Sequence, residues 1–92
     1  MLTPAQRQTL KGRAHKLRPV LLIGAKGLTA EVALELERAL ETHELIKIRA
    51  AELDREALDN LLKEICIRTD AEPVQRIGKV LVIYRKRSGT EP

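Results

Sequence analysis

Apolar residues recur along the chain with two different spacings, and the first of these predicts a helix near the N-terminus. The segment from Thr3 to Gln6 has the sequence of a helix start, because Thr is a good N-cap, Pro suits the first helical position and Gln completes a capping box. Apolar side chains then follow at helical spacing as far as Leu17. Pro19 disfavours helical backbone at the residue before it, so we expect the helix to end near Leu17.

A short aliphatic run and a second amphipathic helix come next. The run from Val20 to Ile23 is bounded by a proline and a glycine, which predicts a strand that is covered on both faces. Thr29 is a suitable N-cap for a helix whose apolar stripe consists of Val32, Leu36, Ala39, Leu40 and His43. This stripe predicts that His43 is packed in the core or lies at the C-terminal end of the helix dipole.

The next strand is predicted to have two chemically different faces. From Leu45 onward apolar and basic residues alternate, so the two isoleucines share one face, and Lys47 and Arg49 share the other. Asp54 then caps a third helix, whose apolar stripe consists of Leu58, Leu61, Leu62 and Ile65.

The C-terminal third of the chain predicts a β-hairpin. Residues 74–77 and 80–85 are two apolar-rich segments joined by Gly78-Lys79, a pair suited to a type II′ turn. The complete order is αβαβαββ, and strand–helix–strand units imply parallel pairing. We therefore predict an α/β fold with a four-stranded mixed sheet and three helices. We expect one domain over residues 1–87 and a frayed tail over residues 88–92.

Composition narrows the classes of function. The chain has 92 residues, one Cys and one aromatic residue, Tyr84. One cysteine excludes an internal disulfide and a cysteine zinc cluster, and we expect Cys66 to be inert. His15 and His43 are too isolated to suggest a metal site, and a lone strand Tyr is more typical of a core than of an RNA-stacking platform. We expect no cofactor, no metal, no small-molecule substrate, no membrane association and a cytoplasmic location.

Charge is segregated along the chain. The formal net charge is +4, but residues 1–30 contain six Lys or Arg and no acidic residue, while residues 31–44 contain five Glu. A segregated basic field attracts a polyanion better than evenly mixed charge does, which makes nucleic acid the first candidate partner. The alternative is ordinary solvated surface.

Gly24-Ala25-Lys26-Gly27, a turn with a glycine at each end, is the focal motif. Glycines allow positive φ and close approach of a ligand, the helix beginning at Thr29 offers unpaired amides, and Lys26 adds a full charge. These features suit a phosphodiester backbone, and we expect the turn to be open to water. The alternative is a plain strand-to-helix turn, since the motif alone is common. It is not a Walker loop, because Leu28 follows the second glycine.

Further basic residues are candidates for phosphate contacts. They are Arg7, Lys11 and Arg18 near the N-terminus, Lys47 and Arg49 on one strand face, and Arg85 and Lys86 beside Lys79 and Arg87 near the last hairpin. The alternative for the strand residues is a solvated edge that resists aggregation.

Separated blocks of the chain carry a family resemblance. They are Leu10-Lys11-Gly12-x-Ala14-His15-x-Leu17-x-Pro19-Val20, Gly24-x-x-Gly27-Leu28-Thr29, Ala39-Leu40-x-x-His43-Glu44-Leu45-Ile46-Lys47, Val74-Gln75-x-Ile77-Gly78-Lys79 and Leu81-Val82-x-Tyr84-Arg85. Together, from about residue 2 to residue 87, they resemble the CRM domain, named for chloroplast RNA splicing and ribosome maturation. The resemblance implies a fold similar to the C-terminal domain of the third translation initiation factor.

The resemblance also implies a function. Bacterial members are stand-alone RNA-binding domains associated with precursors of the large ribosomal subunit, and the segment from Gly24 to Gly27 corresponds to their RNA-facing loop. Ala25 is apolar where the family often has a basic or polar residue, so Lys26 is the expected donor. Arg13 and Arg76 are more basic than the family pattern suggests.

Two hypotheses follow from these observations. The first is a non-enzymatic, monomeric RNA-binding protein that acts on ribosomal RNA, since no acid–base set for catalysis is evident. The second is an adaptor whose acidic helices, around residues 31–44 and 52–70, dock a basic ribosomal protein.

Overall fold

Three helices and four strands follow one another in the predicted order. The computed structural model describes residues 2–87, so the predicted tail at 88–92 lies outside the described residues. The elements are α1 (Pro4–Ala14), β1 (Pro19–Leu22), α2 (Ala30–His43), β2 (Leu45–Arg49), α3 (Arg55–Thr69), β3 (Glu72–Ile77) and β4 (Val80–Tyr84). The predicted helix starts are confirmed by their hydrogen bonds: the Thr3, Thr29 and Asp54 side chains accept from the backbone N–H groups of Gln6, Val32 and Ala57, respectively.

The strands form one mixed sheet in the order β1-β2-β4-β3. β1 is parallel to β2, while β4 is antiparallel to both β2 and β3, so the predicted α/β class and mixed sheet are confirmed. The predicted hairpin is also present. Ile77 pairs with Val80 across a two-residue turn, in which Gly78 has φ +56°.

The two faces of the sheet are covered unequally. α2 and α3 lie on one face and bury the larger core, which includes Leu36, Leu40, Ile46, Ile48 and Ile83. We call this the closed face. α1 alone lies on the other face, and its buried residues Leu10 and Ala14 pack with a smaller cluster that consists of Leu45, Val74 and Val82. We call this the half-open face, because one helix is too narrow to cover four strands.

Two expectations about burial and boundaries are wrong, and a third is met in one of its two alternatives. α1 ends at Ala14, three residues before Leu17, and the N–H of Leu17 donates to the Ala14 carbonyl in a separate turn. β1 is an edge strand covered on only one face, because Leu22 lies beyond the reach of α1 and is 73% exposed. His43 is exposed rather than packed in the core, but it lies in the last turn of α2, at the C-terminal end of the helix dipole, which is the other of its two predicted placements.

Candidate nucleic-acid interface

The glycine-bracketed turn leaves the sheet where β1 ends. The N–H of Ile23 donates to the Arg49 carbonyl at 2.8 Å and fixes the turn beside the end of β2, and the N–H of Gly27 donates to the Gly24 carbonyl at 3.0 Å. Gly24, Ala25 and Lys26 are exposed, so the turn is open to water as expected. Gly27 has φ +69°, a conformation that side-chain-bearing residues rarely adopt.

The helix that follows the turn supplies part of its electrostatic character. The Thr29 hydroxyl oxygen accepts from the Val32 N–H at 3.2 Å, so this side chain serves as the N-cap of α2. The N-terminus of a fourteen-residue helix carries a partial positive charge close to Lys26. Glu31 occupies the first turn of the same helix, where it offsets part of that charge.

A second carboxylate lies against the turn. The Glu52 carboxylate oxygen Oε2 lies 3.3 Å from the position that a Cβ atom on Gly24 would occupy. A side chain at residue 24 would require this carboxylate to shift by a few tenths of an ångström. The Glu52 charge also reduces the positive potential that Lys26 produces. The turn is open, but it is not the most basic part of the molecule.

The stronger concentration of basic residues lies on the half-open face. Lys47 points to this face, since its strand partner Val82 packs under α1. Lys47 lines a cleft of about 390 Å³ together with Lys11 and His15 of the α1 end. Arg49, the next residue on the same face, is exposed beside the turn. The structure therefore places Lys11 and Lys47 on one cleft of the half-open face, and Arg49 beside the turn.

A second basic cleft, of about 210 Å³, lies at the start of β1. It is lined by Arg13, Arg18, Val20 and His43, among others. Arg18 is thus at the opposite end of β1 from the turn, although it belongs to the same face. Neither Arg13 nor His43 is among the candidate phosphate contacts that the sequence suggests. For His43 the sequence does contain a signal, which is its place in the last turn of a helix, where the apolar stripe can leave the core.

Arg85 is placed where it cannot join this surface. Its guanidinium donates to the Glu37 and Glu41 carboxylates at 2.8 and 3.0 Å and to the Thr69 carbonyl at 2.8 Å, and its side chain is 16% exposed. It also follows β4 at the end opposite the turn, about 17 Å along the strand from Val80. The structure gives Arg85 a bridging role between α2 and α3, which corrects its inclusion among the phosphate contacts.

Three other basic residues also lie apart from the turn. Arg7 Nε donates to the Pro73 carbonyl at 3.4 Å, near the far end of β3, and Lys86 lines a cleft with Glu72. Arg76 pairs with Asp59 of α3 and therefore belongs to the closed side of the sheet. Sequence alone groups Arg7, Arg85 and Lys86 with the turn, because the order of charges along the chain does not report which end of a strand is involved.

Three further features of residues 2–87 concern metal binding, cysteine chemistry and membrane spans. Within residues 2–87, no cluster of three or more His, Cys, Asp or Glu is arranged to hold a metal ion. Burial, with a smaller contribution from the Glu72 charge, raises the pKa of the Cys66 thiol to about 11, so the thiolate is strongly disfavoured at neutral pH. None of the helices between residues 2 and 87 has the length and apolar character that crossing a bilayer requires.

Comparison with known proteins shows which family this chain resembles. Residues 2–85 match the model of the CRS1 / YhbY (CRM) domain. An RNA-binding protein of Haemophilus influenzae is 48% identical over 84 residues, which cover 91% of this chain and 85% of that protein. A Pseudomonas aeruginosa protein named "Probable RNA-binding protein" is 45% identical over 85 residues, with coverage of 92% and 82%.

A solved structure supports the fold. The solution structure of a hypothetical Staphylococcus aureus protein, described as a candidate RNA-binding protein, superposes with a TM-score of 0.86 at 31% identity. The superposition covers 99% of this chain and 95% of that one. The similarity thus extends over both faces of the sheet.

Proposed function

The chain belongs to the CRS1 / YhbY (CRM) domain family, and we propose that it is a non-enzymatic RNA-binding protein that holds precursor ribosomal RNA during assembly of the large subunit. The observation that carries the proposal is the position of the exposed turn at the edge of the half-open face, beside Arg49 and close to Lys47. Relatives with nearly half of their residues identical are named as RNA-binding proteins, which supports the same ligand class here.

In this mechanism the backbone of the RNA lies along the turn and the basic strand face. Phosphate oxygens accept from Lys26 and from amides at the start of α2, and Lys47 and Arg49 contact neighbouring phosphates. The protein performs no turnover. It binds one folded arrangement of the RNA more tightly than others and thereby raises the population of that arrangement. We propose that it acts as a monomer in the cytoplasm.

The adaptor hypothesis loses part of its basis. Of the five Glu residues between 31 and 44, Glu37 and Glu41 bind Arg85, and the Glu44 carboxylate accepts from the Arg87 N–H at 2.8 Å. Carboxylates already paired within the chain offer less attraction to a basic partner, because binding would first break these contacts. We therefore do not adopt a protein ligand for the acidic helices.

A pair of substitutions at Gly27 tests the role of the turn. Asp and Asn both tolerate positive φ better than other residues, and a Cβ at this position meets no atom within 4 Å. Gly27→Asp should lower RNA affinity about tenfold by repelling phosphate, whereas the neutral Gly27→Asn should lower it much less. Equal affinities for the two variants in fluorescence anisotropy would remove the turn from the mechanism.

The ribosomal target needs a separate experiment. Ultraviolet crosslinking in cells, followed by sequencing of the attached RNA, should enrich large-subunit precursor RNA in the wild type and lose that enrichment in Gly27→Asp. Enrichment of unrelated transcripts, or of mature RNA alone, would contradict the assembly role and leave RNA binding itself intact.

A further inference from the structure

One row of side chains crosses the sheet at the end nearest the turn. The strand register places Leu22, Arg49, Val80 and Ile77 opposite one another on β1, β2, β4 and β3. Paired residues share a face, and Val80 packs against the cluster under α1, so all four point to the half-open face. Three strand spacings give the row a length of about 14 Å. We call it the edge row.

Three of the four members of the edge row are aliphatic, and the two at its ends are open to water. Leu22 is 73% exposed and Ile77 is 54% exposed, and they lie on β1 and β3, the two outer strands of the sheet. The two residues lie at opposite ends of the row, and burying exposed aliphatic side chains against a ligand that spans it would release ordered water. A polar residue could occupy either position without loss of the strand, because both side chains are exposed.

The charged residues around the edge row indicate which class of ligand it could bind. Arg49 lies within the row, Lys47 lies two residues before it on the same face, and Lys26 lies on the turn that follows β1. An apolar protein segment would not need this density of positive charge. A ligand that combines apolar planar faces with regularly spaced negative charge meets both requirements, and a nucleic acid strand has this combination.

Whether the bases of an RNA are paired determines whether they can contact the edge row. In an RNA duplex the faces of the bases are stacked and hidden, so protein reaches phosphates and 2′-hydroxyls. In an unpaired strand the bases can turn outward and lie against apolar side chains or the plane of an Arg guanidinium. Exposed aliphatic side chains beside a phosphate-binding turn therefore favour unpaired RNA over a duplex.

We infer that the ligand of this surface is an unpaired segment of RNA, with its backbone at the turn and one or two of its bases on Leu22, Arg49 and Ile77. This inference rests on the proposed function, which does not specify whether the bound RNA is paired. The turn and the basic face bind either form through phosphates, and the edge row supplies the preference for the unpaired form.

The test compares two probes: a short fluorescein-labelled RNA without self-complementarity, and the blunt duplex it forms with its complement. Wild type should bind the single strand about tenfold more tightly than the duplex. Leu22→Ser should remove most of that preference by weakening single-strand binding about tenfold, with less than about twofold change for the duplex. Ile77→Ser should act in the same direction.

A matched control is available on the closed side of the molecule. Leu34 of α2 is 59% exposed, so Leu34→Ser makes the same chemical change at a similar exposure and should leave both affinities unchanged. Equal affinity of wild type for the two probes would overturn the inference. So would unchanged single-strand binding by both Leu22→Ser and Ile77→Ser.

Two further measurements distinguish base contacts at the edge row from phosphate binding at the turn and from self-association. Gly27→Asp should weaken binding to both probes, and if it weakens neither, the proposed function fails as well. A wild-type dimer in sedimentation equilibrium that Leu22→Ser converts to monomer, with RNA affinity unchanged, would make the edge row an interface between copies and would overturn the inference.

Discussion

The closed and half-open faces belong to the same four strands, yet they serve different physical purposes. On β2, Ile46 and Ile48 are fully buried under α2 and α3, while Lys47 and Arg49 alternate with them toward the face that α1 covers in part. One face has two helices and the other has one. The larger buried core lies on the closed face, which leaves the other face free to carry charge and exposed aliphatic groups.

The largest expected contrast is between two aliphatic residues on neighbouring strands. Ile48→Ala removes a fully buried side chain from the closed face and should reduce the free energy of unfolding by about 2–5 kcal/mol. Leu22→Ala, on the half-open face, should change it by no more than about 0.5 kcal/mol. Urea denaturation measures both, and a large loss from Leu22→Ala would show that the half-open face also supports the fold.

Chemical labelling of Cys66 should show how well α3 shields the closed side. Its raised pKa of about 11 makes the thiolate about 100-fold rarer near pH 8 than at the ordinary value of 9.0. Labelling should therefore be slow in the native protein and fast in urea. The folded protein holds the Cys66 thiol proton more tightly than the unfolded chain does, so the protonated thiol favours the folded state. This contribution to stability is complete below pH 9 and is lost as the pH rises toward 11. Fast native labelling would contradict this account.

Two arginines with opposite roles sharpen the comparison. Arg85→Ala should destabilise the fold by about 1–3 kcal/mol, since it removes a donor that links the Thr69 carbonyl and the Glu37 and Glu41 carboxylates, and RNA affinity should not change. Arg49→Ala should show the reverse pattern, with weaker RNA binding and unchanged stability. Thermal unfolding and anisotropy on the same samples separate the effects, and weaker RNA binding by folded Arg85→Ala would contradict its assignment to the core network.

The smallest predicted effect is a gain of affinity. Glu52→Gln removes the carboxylate beside Gly24 and should strengthen RNA binding about twofold at low salt. Glu35→Gln, an exposed change on α2, is the control for the same loss of charge. If both variants gain equally, the effect reflects net charge alone and Glu52 has no local role.

Much of the fold could be predicted from the order of residue types over short segments. Which residues lie together at the candidate site could not be predicted in this way. Capping residues such as Thr29 and Asp54 and the alternation in β2 act over a few residues, so the sequence displays them directly. The position of Arg85 depends on which strand end meets the acidic side of α2, which is a property of the tertiary arrangement. The exposure of Leu22 likewise depends on how far α1 reaches, and an aliphatic run does not record that distance.

The turn also has some features that neighbouring residues predict and others that depend on the tertiary arrangement. Gly27 could be identified from its neighbours, because a strand, a glycine and a helix cap follow one another in sequence. The approach of Glu52, which lies more than twenty residues further along the chain, became visible only when the end of β2 was placed beside the turn.

The most direct test of phosphate binding by the half-open face and the turn is the salt dependence of RNA affinity. Each phosphate contact with a single strand contributes about −0.7 to the slope of log K against log salt concentration. We predict a steep slope for wild type, and a slope smaller in magnitude by about 2 for the combined variant Lys26→Ala, Lys47→Ala and Arg49→Ala. The combined control Arg38→Ala, Lys63→Ala and Arg68→Ala, which removes three exposed charges from α2 and α3, should retain the wild-type slope. A flat slope for wild type, or equal slopes for the two combined variants, would contradict the account.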